Sequence, residues 1–198
     1  DLPPLYVDNK APKKIRKVKE ESKFLETNLV QIYSLEDLTL KESMLTMYFY
    51  NYLLGGGGLN TKLYQLLREK NSLCYGIKSN YLKYDRLLLI QTSIQKKDVK
   101  KAEKLIRQAF REMKMGDFSE DELNNVKESF AFSLKLSLDN PSGILNNYVF
   151  HIYDDLPFIE DRIKMIEDVT KEEIVLVANK IKHNIFFVLE GEEENGNN

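Results

Sequence analysis

Apolar and polar side chains alternate most regularly between Leu87 and Gln95, where Leu88, Ile90, Thr92 and Ile94 interleave with Leu87, Leu89, Gln91 and Ser93. A period of two predicts a strand with one face packed more tightly than the other. The stretch Leu73 to Tyr84 predicts its partner, joined across the Tyr84-Asp85-Arg86 corner as a hairpin. Phe24 to Leu35 predicts a further strand, with Leu29, Gln31 and Tyr33 on one face and Val30 and Ile32 on the other. Ile185 to Leu189 closes the set.

Between these strands the period lengthens. Thr39 and Glu42 have the spacing of a capping box, and Leu40, Met44, Leu45, Met47, Tyr48, Phe49, Leu53 and Leu54 then go nearly all the way round the axis. That predicts a deeply buried helix, ended by Gly55, Gly56, Gly57 and Gly58. A shorter helix follows from about Asn60 to Lys70 with Leu63, Leu66 and Leu67 inward. Asp98 is placed to cap a helix whose Val99, Ala102, Leu105, Ile106, Ala109, Phe110 and Met113 recur at three and four, and Gly116 stops it. Ser119 with Glu122 starts a helix to about Leu138, Asn140-Pro141 restarts the chain, and Thr170 with Glu173 starts a last helix bearing Ile174, Val177, Ala178 and Ile181. Strand, helices, hairpin, helices and strand in one chain predict an α+β, two-layer sandwich with a largely antiparallel sheet and helices on one face. No internal repeat is found.

Outside that core the patterning fails at both ends. Residues 1–23 combine Pro3, Pro4 and Pro12 with Lys10, Lys13, Lys14, Arg16, Lys17 and Lys19, and read as an arm or linker. Residues 24–190 form a single domain, and 191–198 an acidic, disordered tail. The absence of an initiator Met suggests a chain cut from something larger.

Charge and composition then narrow the function. In 198 residues, 29 basic side chains stand against 31 acidic ones, so nothing pulls the whole chain toward nucleic acid or an anionic membrane. Only the basic run before residue 23 leaves a nucleic-acid contact open, and it lacks interleaved aromatics for stacking beyond Tyr6. The single Cys allows no internal disulfide, no apolar run reaches the roughly 18 residues of a membrane span, and Asp1-Leu2-Pro3-Pro4 is no signal peptide. A cytoplasmic protein without membrane contact is expected.

The two histidines exclude more than any other count. His151 and His183 are 32 positions apart, and neither H-E-x-x-H nor H-x-x-E-H can be written around them. The chain therefore carries no zinc-peptidase site of its own. No G-x-S-x-G is present, and Cys74 has no nearby His to raise its reactivity, so it reads as a small buried hydrophobe.

The most informative phrase is Leu53 to Tyr75, LLGGGGLNTKLYQLLREKNSLCY. Its glycines do not make a phosphate-binding P-loop: that needs G-x-x-x-x-G-K and Ser or Thr after a strand, and here a helix precedes. A flexible link with close backbone approach is expected at Gly55 to Gly58. Arg68 falls on the stripe Thr61, Tyr64, Gln65, Arg68, seven positions before Tyr75. A guanidinium can grip a carbonyl and a phenol can donate to an oxyanion; equally, an Arg near a helix C-terminus and a Tyr in a strand need no function at all.

The phrase GGGGLNTKLYQLLREKNSLCYGI resembles the second-domain motif of the pitrilysin family of zinc peptidases, which includes insulin-degrading enzyme and the mitochondrial processing peptidase. The motif runs as a glycine cluster, a small polar residue, Lys-Leu, Arg-Glu-Lys and Leu-x-Tyr, and a fainter likeness extends from about Phe24 to Glu190. The resemblance implies the fold of the LuxS/processing-peptidase type, in which two similar halves face each other. One half holds zinc on H-x-x-E-H, and the other contributes an Arg and a Tyr seven residues apart. By that resemblance Arg68 and Tyr75 bind substrate and transition state toward the zinc of a partner domain, in the same longer chain or a separate subunit. It also implies a peptide substrate, no metal or other cofactor on this chain, and no activity of this chain alone. Some second halves of the family keep the fold and lose any catalytic contribution, so a silent scaffold or peptide-binding half stays open.

Overall fold

The computed structural model describes residues 7, 9–154 and 156–192. Five strands form one sheet: β1 (Arg16–Glu21), β2 (Thr27–Leu35), β3 (Cys74–Leu82), β4 (Leu87–Ile94) and β5 (Ile181–Glu190), ordered β1-β5-β2-β4-β3. Neighbours pair antiparallel except β1 with β5, which are parallel. The chain is thus an α+β fold with a largely antiparallel sheet, as its alternation predicts.

The period of two carries straight into the packing. Leu29, Gln31 and Tyr33 of β2 stand opposite Thr92, Ile90 and Leu88 of β4, and all six are buried. On β3, Ile77, Ser79 and Tyr81 continue the same row. The helices cover this face. The first, α1 (residues 42–56), opens and closes in π-turns, Glu42–Thr46 and Tyr52–Gly56, around an α-helical Met47–Asn51. Met47, Phe49, Tyr50 and Leu54 are fully buried, as the all-round apolar pattern requires, and the Ser79 hydroxyl ties the sheet to the helix by donating to the Asn51 carbonyl at 3.1 Å.

After β4, α3 (Val99–Lys114) packs Ala102, Ile106, Ala109 and Met113 into the core, and Gly116 turns the chain at φ +69°. The capping boxes at Ser119/Glu122 and Thr170/Glu173 are both present, opening α4 (Glu120–Leu136) and α7 (Lys171–Asn179). Asn140 starts α5 (Pro141–Asp154), its Oδ1 accepting from the Gly143 N–H at 2.7 Å. A nine-residue helix, α6 (Ile159–Glu167), stands where the sequence pattern predicts no separate element.

Three expectations are corrected. Residues 16–21, read within an arm, form an edge strand: Arg16 to Glu21 pair with Ile185 to Glu190, the Lys19 ammonium meets Glu190 at 2.8 Å, and Lys17 lies over the Phe186 ring. Charged side chains on a sheet edge repel other strands, which is why such a strand lacks an apolar period. Asp98 does not cap α3 with its side chain, because Lys96–Asp98 form a 3₁₀ turn that leaves Asp98 already helical. Of the tail, Gly191 and Glu192 are hydrogen-bonded to Thr27 and Phe24, and 193–198 lie outside the described residues.

Candidate functional site

The glycine run is where the sequence most constrains the backbone. A Cβ on Gly55 would meet Leu63 Cδ1 at 2.8 Å and Ser79 Oγ at 2.9 Å, one on Gly57 would meet the Tyr52 ring at 2.5 Å, and Gly58 has φ +94°. The glycines let α1 end tightly against β3 and α2 (residues 62–69). Thr61, buried, donates through its hydroxyl to the Gly58 carbonyl at 3.0 Å, and Gln65 donates to the Leu59 carbonyl at 3.0 Å, so two residues of the polar stripe fasten the loop.

The short helix α2 finishes in a π-turn, Gln65–Glu69, that carries Arg68. Ser72 then adopts φ +49° and its N–H returns to the Arg68 carbonyl at 2.8 Å, while Leu73 N–H reaches Leu67 O at 2.9 Å. This left-handed closure reverses the chain within a few residues, bringing Tyr75 at the start of β3 back beside Arg68. There β3 bulges: Cys74 pairs with Ile94 but Ile77 with Thr92, so one extra residue is accommodated on β3. The Gly76 carbonyl is held by the Thr92 hydroxyl at 2.9 Å, and Tyr75 is 86% exposed.

Arg68 locks this corner. Its Nη1 donates to the Tyr75 carbonyl at 2.7 Å and to the Cys74 carbonyl at 3.3 Å, and its guanidinium carbon lies 5.6 Å from the Tyr75 ring centroid and 6.0 Å from that of Tyr64. Among the described residues, Nε and Nη2 have no hydrogen-bond partner. The pair opens on a cleft of about 1340 Å³, whose lining includes Glu26, Glu69, Lys97 and Asp98. Chemically the corner presents a guanidinium edge and a phenol on a backbone held rigid by the same Arg, a combination suited to a carbonyl or carboxylate. The sequence brings these two residues together; what it could not show is that Arg68 also grips the backbone of Tyr75.

Of the other candidates, Cys74 also lines the cleft, whereas the two histidines fall elsewhere. Cys74 is buried and free. His151 stacks on Phe158 with centroids 4.1 Å apart and its Nδ1 lies 2.5 Å from the Leu156 carbonyl. His183 stacks on Tyr33, its Nε2 lies 3.1 Å from the Ile185 carbonyl, and burial pushes its pKa below the usual 6.5. Neither lines the cleft. No group of three His, Cys, Asp or Glu side chains among the described residues could hold a metal, so the donors here do not fit zinc. Nor is any described helix long and apolar enough to cross a membrane.

Residues 2–130 match the family described as "Peptidase M16 inactive domain". The chain is 32% identical over 141 residues, 70% of its length, to the "Probable inactive metalloprotease YmfF" of Bacillus subtilis (strain 168). The chain belongs to the peptidase M16 inactive-domain family. Its fold matches a conserved protein from Enterococcus faecalis V583, with TM-score 0.87, 24% identity and 96% of this chain covered, and the peptidase M16 inactive domain from Pseudomonas fluorescens, with 0.74, 20% and 92%. It also matches the periplasmic protease PqqL from Escherichia coli, with 0.76, 16% and 91%. The chain spans 33% of the length of the Bacillus relative, 45% of the Enterococcus and Pseudomonas chains and 21% of PqqL.

Proposed function

We propose that this domain is the substrate-binding, non-zinc half of an M16 zinc metallopeptidase, completing across a cleft the site of a zinc-bearing companion domain. The observation that carries the reading is the Arg68–Tyr75 corner: an exposed phenol and two guanidinium nitrogens without a hydrogen-bond partner among the described residues sit together on a braced bulge at the cleft. The Arg68 edge donates to a peptide carbonyl of the substrate, and the Tyr75 hydroxyl donates to oxygen as it gains charge during cleavage. Arg68 fixes Tyr75 through its own main chain, so the donor is positioned before substrate arrives. Any metal belongs to the companion. The single buried Cys favours a cytoplasmic location, which cell fractionation tests against the periplasm.

A silent scaffold is the second reading, favoured by the two backbone carbonyls that occupy Arg68 Nη1. Peptide hydrolysis measured with this chain alone, the companion alone and both together separates the two. The first reading predicts turnover only in the mixture; a companion fully active by itself leaves the scaffold.

A further inference from the structure

Helix α5 is a puzzle on its own. Of its fourteen residues only Asp154 is buried, while Leu145, Tyr148, Ile152 and Tyr153 are 64%, 55%, 72% and 72% exposed. Yet the helix is firmly fixed. At its C-terminal end the Asp154 carboxylate is buried against the Lys83 ammonium at 2.6 Å and the Tyr84 hydroxyl, and Lys83 also lies over the Phe150 ring. At its middle Asn147 donates to the Ser137 hydroxyl at 2.7 Å and to the Gly143 carbonyl at 2.9 Å. A rigidly held helix whose apolar residues face water is a surface made to be covered.

Between α5 and α6 runs a groove of about 220 Å³, walled by Leu138, Ile144, Tyr148, Pro157 and Phe158. Arg162 stands in it, half-buried, its Nη1 donating to the Asn147 amide oxygen at 2.8 Å. No carboxylate among the described residues forms an ion pair with it, although Glu160, an exposed residue, also lines the groove. Burial pulls the Arg162 pKa down, as desolvation of a cation does. Half-burying a guanidinium among apolar walls is costly unless an anion arrives with the group that covers it.

We infer that the α5–α6 groove is the docking surface for the companion half, which lays an apolar segment over α5 and brings one carboxylate to Arg162. This rests on the reading that a companion exists. Two considerations select that occupant. The charge is complementary to an acidic-apolar segment, and the chain spans only 45% of the Enterococcus and Pseudomonas chains that share its fold, leaving more than half of such proteins to cover exposed faces.

The test measures association of this chain with the separately expressed companion half, apart from turnover, for Leu145→Asp, Ile152→Asp and Arg162→Gln. Both apolar positions are exposed, so these two variants keep the melting temperature of the isolated chain. The inference predicts that each apolar variant weakens association on the order of 10-fold or more, and that Arg162→Gln weakens it and reduces its salt dependence. Unchanged association in all three overturns the inference while leaving the Arg68–Tyr75 reading standing. A dimer of the isolated chain in sedimentation, dissolved by the same variants, overturns it in favour of self-association. Conversely, weakened association with no turnover from any mixture supports the surface and removes the proposed catalytic role.

Discussion

The guanidinium of Arg68 lies over the Tyr75 ring, 5.6 Å from its centroid, while its Nη1 holds the Tyr75 main-chain carbonyl at 2.7 Å. Seven residues of sequence are thereby folded into one corner in which the Arg sets the backbone of the Tyr. The arrangement makes the two side chains unequal: removing the phenol hydroxyl breaks no hydrogen bond among the described residues, whereas removing the guanidinium releases two carbonyls and the bulge they stiffen.

Thermal unfolding should reflect that asymmetry. Tyr75→Phe is expected to leave stability within about 0.5 kcal/mol of wild type, because it removes only an exposed hydroxyl and keeps the ring under the Arg68 guanidinium. Arg68→Ala should cost about 1 kcal/mol, the usual net worth of such hydrogen bonds, and Arg68→Lys should recover only part of it because an ammonium lacks the planar fork. Equal losses for the two residues would contradict the bracing role.

The glycine run separates two physical causes. Gly55→Ala and Gly57→Ala add a Cβ at 2.8 Å from Leu63 and 2.5 Å from the Tyr52 ring, and should destabilise by roughly 1–3 kcal/mol through overpacking. Gly58→Ala has open space but φ +94°, so its cost, about 1 kcal/mol, is conformational. Gly76→Ala meets nothing within 4 Å and should be close to neutral. Denaturant midpoints at constant slope read all four.

The buried Lys83–Asp154 pair that anchors α5 should behave as a unit. Lys83→Met strands a buried carboxylate and is expected to cost about 3–5 kcal/mol, whereas Lys83→Met combined with Asp154→Leu should recover most of that loss. Additive losses in the double-mutant cycle would show that the two do not depend on each other.

Acid should weaken the fold in two stages. Burial holds His183 below 6.5, so the unfolded chain takes up a proton there that the folded one refuses, and stability falls as pH drops from about 6.5. Glu42 adds a second loss. Burial pushes its carboxyl up, but the Lys180 ammonium and the Thr39 donors outweigh this and hold it below 4.5, so its contribution is full above about pH 4.5 and disappears as pH falls through the folded value. His183→Phe should flatten the first limb and Glu42→Gln the second in unfolding titrations; an acid profile unchanged in both would remove these assignments.

Legibility followed the strength of the local signal. The alternation at Leu87 to Ile94 and the Ser119/Glu122 and Thr170/Glu173 boxes are local chemistry, and each appears in the fold as its residues predict. Strand β1 was hidden because its neighbours are residues 185–190, far along the chain, and its charges resemble a solvated linker. The π-turns around Asn51 and Arg68 leave no mark on an apolar pattern this dense. For the site, the R-E-K and Leu-x-Tyr phrase named the two residues. Their shared corner depends on Ser72 turning left-handed and on the bulge after Cys74, and those are set by packing across α2, β3 and β4.

Under the proposed function, Tyr75 and Arg68 act on a peptide bond cleaved at a companion's zinc. Single-turnover hydrolysis of a peptide by the assembled pair tests it most directly, with association measured in parallel. The account predicts that Tyr75→Phe and Arg68→Ala each lower the rate on the order of 10²-fold while the pair still assembles. Wild-type rates from both assembled variants would contradict it.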